Sequence, residues 1–159
     1  MEHMEDHGGR ADRGLLRALC DAWVGELSAI VHYTYNSVLL EPYLCSVASL
    51  FGDLARDQTE QFRHLGRLLC DLGHHPAVNV RIRSPSYQLK EDADSHAPVL
   101  ARRMIDDSLA EIDAARSLYR TLALQASDAT LRAALLDLAH QKAEHSEALL
   151  YAKRRLQSS

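Results

Sequence analysis

The stretch LRAALLDLAHQKAEHSEALLYAKRRL (131–156) decides the fold. Leu131, Leu135, Leu138, Leu149, Ala152 and Leu156 recur at heptad spacing, the pattern of a helix that buries one apolar seam. Two polar residues interrupt it: Lys142 and His145 hold the seam positions between Leu138 and Leu149. An ammonium and an imidazole directed into a core must be answered there, because an unpaired charge in a dry interior costs more than several leucines return.

Candidate partners emerge when the same template is laid over the rest of the chain. One stretch reads Leu19, Trp23, Glu26, Ile30, Tyr33, Ser37 and Leu40, with Glu26 in mid-seam. The next reads Val47, Phe51, Leu54, Gln58, Gln61, Leu65, Leu68 and Leu72, again with two polar residues three apart. A third reads Ala101, Met104, Ser108, Glu111, Ala115, Leu118 and Leu122, which places Glu111 in its seam. The interruptions alternate as one acid, a pair, one acid, a pair, so the chain reads as a duplicated helical hairpin. For the polar positions of an antiparallel hairpin to lie level, its turn must fall midway between them. The midpoints fall at Glu41-Pro42-Tyr43 and at Ser127-Asp128, where Pro42 suits a first helical turn and Ser127 or Asp128 an N-cap. The expectation is one level polar layer inside four apolar seams.

Length and composition bound the remaining choices. A chain of 159 residues forms one core and buries roughly 70% of its unfolded surface. The net charge is −4, with both signs mixed along every helix, so no nucleic-acid or membrane surface is expected. No apolar run approaches the roughly 20 residues of a membrane span. The polar N-terminus lacks the apolar centre of a signal peptide, and a cytoplasmic protein is expected. Cys20, Cys45 and Cys70 are odd in number and widely spaced, which argues against a disulfide framework and for small buried or half-buried side chains.

In chain order, residues 1–11 are expected to be disordered, followed by a bundle over 12–157. The helices are expected at about 12–40, 42–72, 94–124 and 128–156, with Gly73 closing the second. The first two are joined by a few residues and must be antiparallel neighbours. Between the second and third, about twenty residues punctuated by Pro76 and Pro85 form a connection long enough to cross the length of a bundle. The expected class is therefore all-α, a four-helix bundle of two antiparallel hairpins joined by one long crossover, as in ferritin-like folds.

The residues also resemble the ferritin-like superfamily, in particular small bacterial members related to bacterioferritin, rubrerythrin and manganese catalase. ELSAIVHYTYNSVLL (26–40) is similar to the family's first-helix motif, and RHLGRLLCDLGHHP (63–76) to its second-helix tail. The resemblance covers about residues 12–156. It implies a Glu on helices one and three and Glu-x-x-His on helices two and four, together holding two metal ions. Glu26, Glu111 and His145 match retained ligand positions, whereas Gln58, Gln61 and Lys142 stand where Glu, His and Glu belong. Two carboxylates, one ammonium and neutral amides bring such a layer near neutrality without metal, and the ammonium repels a dication. Metal-free ribonucleotide reductase small subunits are similar in carrying Gln and Lys at ligand positions.

The reading that follows is a ferritin-like protein whose di-iron or di-manganese centre is replaced by a Glu26, Gln58, Gln61, Glu111, Lys142, His145 network, non-catalytic or atypical in function. The alternative is an oxidoreductase or iron-handling protein with a single Fe or Mn ion at Glu111 and His145, with Tyr33 and Trp23 beside the ligands. A third is a coat or compartment protein working through its outer faces. Without a Cys-x-x-Cys pair a rubredoxin-like module is not expected. Without a fifth helix a 24-subunit cage is not expected either, and a homodimer is.

Overall fold

The computed structural model describes residues 6–75, 87 and 93–158. Four helices run in the order α1 (Asp6–Leu40), α2 (Cys45–Asp71), α3 (Ala93–Gln125) and α4 (Ala129–Gln157), an all-α four-helix bundle. Among the described residues no helix is long and apolar enough to cross a membrane.

Cross-helix contacts fix the topology. Ser37 Oγ donates to the Ala48 carbonyl at 2.8 Å and Trp23 Nε1 donates to the Phe62 carbonyl at 3.0 Å, so α2 descends beside α1. Lys153 pairs with Asp106 at the end of the α3–α4 hairpin far from its turn, so these two are antiparallel as well. His32 of α1 meets Glu111 of α3 while Glu26 meets Tyr119, which makes α1 and α3 antiparallel. It follows that α2 and α3 run in the same direction. The end of α2 and the start of α3 therefore lie at opposite ends of the bundle. The expected crossover falls on residues that, except for Tyr87, lie outside the described ones. Tyr87 is buried, stacks near Tyr35 of α1 at 6.3 Å and donates to Asp107 of α3 at 2.5 Å.

Helix boundaries follow local chemistry. Asp128 caps α4 by accepting from the Leu131 N–H at 2.9 Å, as its residue type favours. Gly73, at φ +77°, closes α2 where a side chain would be strained. Pro42 differs from expectation. It lies in the 41–44 turn rather than in the first turn of α2, which begins at Cys45. Residues 1–5 lie outside the described ones, and α1 begins at Asp6, six residues earlier than expected. Residues 6–12 are polar on every side in sequence, so that extension carried no apolar period to detect. The cysteines also differ: Cys20 is half-buried, but Cys45 and Cys70 are exposed, on the solvent side of α2.

Two apolar clusters fill the interior. One, around Leu19, Trp23, Leu65, Leu69, Leu135 and Leu138, lies toward the α3–α4 turn. The other, around Tyr33, Phe51, Leu54, Met104, Ile105 and Leu149, lies toward the α1–α2 turn. Glu26, Gln58, Gln61, Lys142 and His145 are buried between them, so the seams meet in a polar layer.

Candidate functional site: a buried ion pair across four helices

Each helix contributes one member to the layer's hydrogen-bonded centre. Lys142 of α4 donates at 2.8 Å to Glu26 Oε2 of α1 and at 2.8 Å to Gln58 Oε1 of α2. The other Glu26 oxygen accepts from the Tyr119 hydroxyl of α3. Glu26 and Lys142 are 3% and 2% exposed, so solvent screens this pair very little. Burial pushes the Lys142 ammonium pKa down from its ordinary value, and Glu26 opposes that shift by favouring the charged form. The Tyr119 hydroxyl is held well above the usual phenol range, first by burial and then by the Glu26 carboxylate that it donates to. Tyr33, 1% exposed, is raised by burial and by the charges of Glu111 and Glu26.

The sequence placed five of its six layer residues correctly in the interior and missed on the third helix. Glu111 is exposed and pairs with His32 of α1 at 3.1 Å, outside the centre. The reason is register. Before Ser108 the expected Met104 and its neighbour Ile105 are both buried; past Ser108 the buried positions are Ile112, Tyr119 and Leu122, where the expected seam has Glu111 and Leu118. One residue is about 100° around a helix, enough to carry Glu111 to the flank and bring Ile112 inward. The signal was present: Ile105, Ile112 and Tyr119 form an unbroken row at seven-residue spacing, whereas Met104, Glu111 and Leu118 are interrupted by an acid. Tyr119 is thus the network member that the template missed.

The remaining expected site residues divide between the flanks. His145, 5% exposed, lies on the α2–α4 side with Nε2 3.6 Å from Asp57, a partner that the seam template does not reveal. Its pKa is lowered by burial first and then by Lys142, against the opposing influence of Asp57 and Glu144. Glu111 and His145 are therefore not brought together: one answers His32, the other Asp57. Trp23 stacks on Phe62 at 4.4 Å and is anchored through its indole N–H, a packing arrangement away from the ion pair. Gln61 is buried, yet its Oε1, like Gln58 Nε2 and His145 Nδ1, has no partner among the described residues.

This set does not fit a dinuclear metal centre. An ammonium within hydrogen-bond distance of Glu26 holds the central position, and its charge repels a dication at short range. Among the described residues no three His, Cys, Asp or Glu side chains gather in a way that could hold a metal ion. What the arrangement does chemically is neutralise one buried acid with one buried base and tie four helices to one level.

No family model matches the chain, and no curated protein matches it. Among solved structures it is similar to a conserved hypothetical protein, rv2844, from Mycobacterium tuberculosis, at 22% identity and a TM-score of 0.59 over 91% of this chain and 92% of that one. At that identity the likeness is one of fold.

Proposed function

We propose that the chain is a ferritin-like bundle in which the Glu26–Lys142 pair, completed by Gln58 and Tyr119, stands in place of a dimetal centre, and that it works as a metal-independent helical protein. The observation that carries this reading is Lys142 Nζ at 2.8 Å from both Glu26 and Gln58, an internal cation where the resemblance calls for a ligand. Gln58 and Gln61 extend the argument, since neutral amides replace groups that would otherwise supply a carboxylate and an imidazole. A cytoplasmic homodimer belongs to the same proposal. The alternative, a single Fe or Mn ion at Glu111 and His145, has less support because those residues answer different partners on different flanks.

Thermal melting tests the proposal. An ion that binds only the folded state raises Tm with its concentration. The expected result is a Tm unmoved by Fe(II), Mn(II) or a chelator, and a saturable rise with either ion would overturn it.

A further inference from the structure

The α1–α3 side of the ion pair adjoins a cavity, although Glu26 and Lys142 are themselves only 3% and 2% exposed. The cavity, of about 400 Å³, is walled by Ala22, Ala29, Ala115, Ile112 and Leu118. Small side chains on facing helices leave this space, and its size falls within the roughly 300–1,000 Å³ range of small-molecule pockets. Glu26, Lys142 and Tyr119 also line it, so the centre of the polar layer is its floor. Asp21 and the His32–Glu111 pair stand at its more exposed parts.

The floor selects the chemistry of an occupant. Both carboxylate oxygens of Glu26 already accept, one from Tyr119 and one from Lys142. An ammonium has three N–H donors, and Glu26 and Gln58 take two of those of Lys142. The floor thus leaves one Lys142 N–H donor to be answered, within a pair that is already neutral. A ligand carboxylate would add a second negative charge beside Glu26, and a ligand ammonium would bring another cation beside Lys142. Either burial is costly, whereas a neutral carbonyl accepts a hydrogen bond without changing the charge.

We infer that the α1–α3 cavity is a binding site for a small, neutral, mainly apolar molecule bearing one carbonyl oxygen, which accepts from Lys142 while its body packs on the alanine, isoleucine and leucine walls. The inference rests on the reading of Lys142 as the internal cation of the layer. Gly25 provides the means to test it. It lines the cavity, and a Cβ built there meets nothing within 4 Å, so a larger side chain enters open space.

The experiment titrates the full chain with Prodan, a neutral naphthyl ketone whose emission shifts to the blue in apolar surroundings. Bound probe is then displaced with 2-acetylnaphthalene, 2-naphthoate or 2-naphthylmethylammonium. The expected result is saturable binding and displacement by the ketone at least about tenfold better than by either charged analogue, reflecting the cost of burying a charge. Gly25→Phe, checked for intact helicity and melting, is expected to lose binding. Absence of saturable binding, undiminished binding in folded Gly25→Phe, or a charged analogue equal to the ketone would each overturn the inference. Metal content measured on the same samples separates the two readings: bound metal would sink the metal-free proposal, whereas failed probe binding in metal-free protein would sink only this one.

Discussion

Lys142 and Glu26 each make the other tolerable. Removing the ammonium by Lys142→Ala leaves the Glu26 carboxylate and the Gln58 carbonyl oxygen buried beside a void. The expected loss is about 3–5 kcal/mol in urea unfolding, the range for breaking a buried pair from one side. The double replacement Glu26→Leu with Lys142→Met removes both charges and should recover most of that loss. A single-variant cost below about 1 kcal/mol would show that the pair is not closed to water as the structure has it. His145 makes a pH-dependent prediction. Its folded-state pKa lies below the ordinary 6.5, so as pH falls through 6.5 the unfolded chain takes up a proton that the folded chain still refuses. Stability should therefore decline as pH drops through that value. In His145→Gln this contribution is absent and the decline should be shallower; identical slopes between wild type and variant would contradict the assignment. Asp57 and Glu144 face the imidazole and limit the shift, and Lys142 enlarges it.

At the scale of the helix, the seam of α3 makes the sharpest prediction. Ile112 is 2% exposed and Glu111 lies on the flank, so Ile112→Ala should cost about 2–5 kcal/mol through cavity formation. Glu111→Ala should cost less than about 1 kcal/mol, as for other exposed ion pairs. Equal costs in equilibrium unfolding would return Glu111 to the seam. Gly66 on α2 tests the other apolar cluster. A Cβ there would lie 2.9 Å from Trp23 Nε1, which forces the indole away from its Phe62 carbonyl acceptor. Gly66→Ala is therefore expected to destabilise by about 1–3 kcal/mol despite its better helix propensity, with a change in tryptophan fluorescence as the spectroscopic check. These two helices also show what the sequence made legible. On α2 and α4 the heptad template located Gln58, Gln61, Lys142 and His145 in the interior, because leucines on both sides of each pair pin the register. On α3, alanines and mixed apolar residues on adjacent rows leave two registers open: Met104 and Ile105 are both buried, and Ile112 and Tyr119 against Glu111 and Leu118 separate them. Asp57 and His32 were not legible at all, since an exposed polar residue acquires its partner from the angle at which two helices pack.

Over the whole molecule, α2 and α3 run in the same direction, and among the described residues the polar layer is a level at which side chains from all four helices meet through hydrogen bonds. Apolar seams supply most of the burial but tolerate sliding, whereas a cation that must reach both Glu26 and Gln58 does so at one setting of the helices. The layer's fixing of the helix level and its poor fit to a metal are thus consequences of the same side chain. The likeness to the mycobacterial structure extends the bundle architecture to another chain without adding an activity. Elemental analysis tests the central claim most directly, on protein purified natively and again after reconstitution with Fe(II) and Mn(II), with Lys142→Glu treated in parallel. Wild type is expected to remain without stoichiometric metal, and Lys142→Glu, which exchanges the internal cation for a carboxylate beside Glu26, to retain more. Wild-type protein holding about one or two ions per chain, as a working mononuclear or dinuclear site requires, would contradict the account.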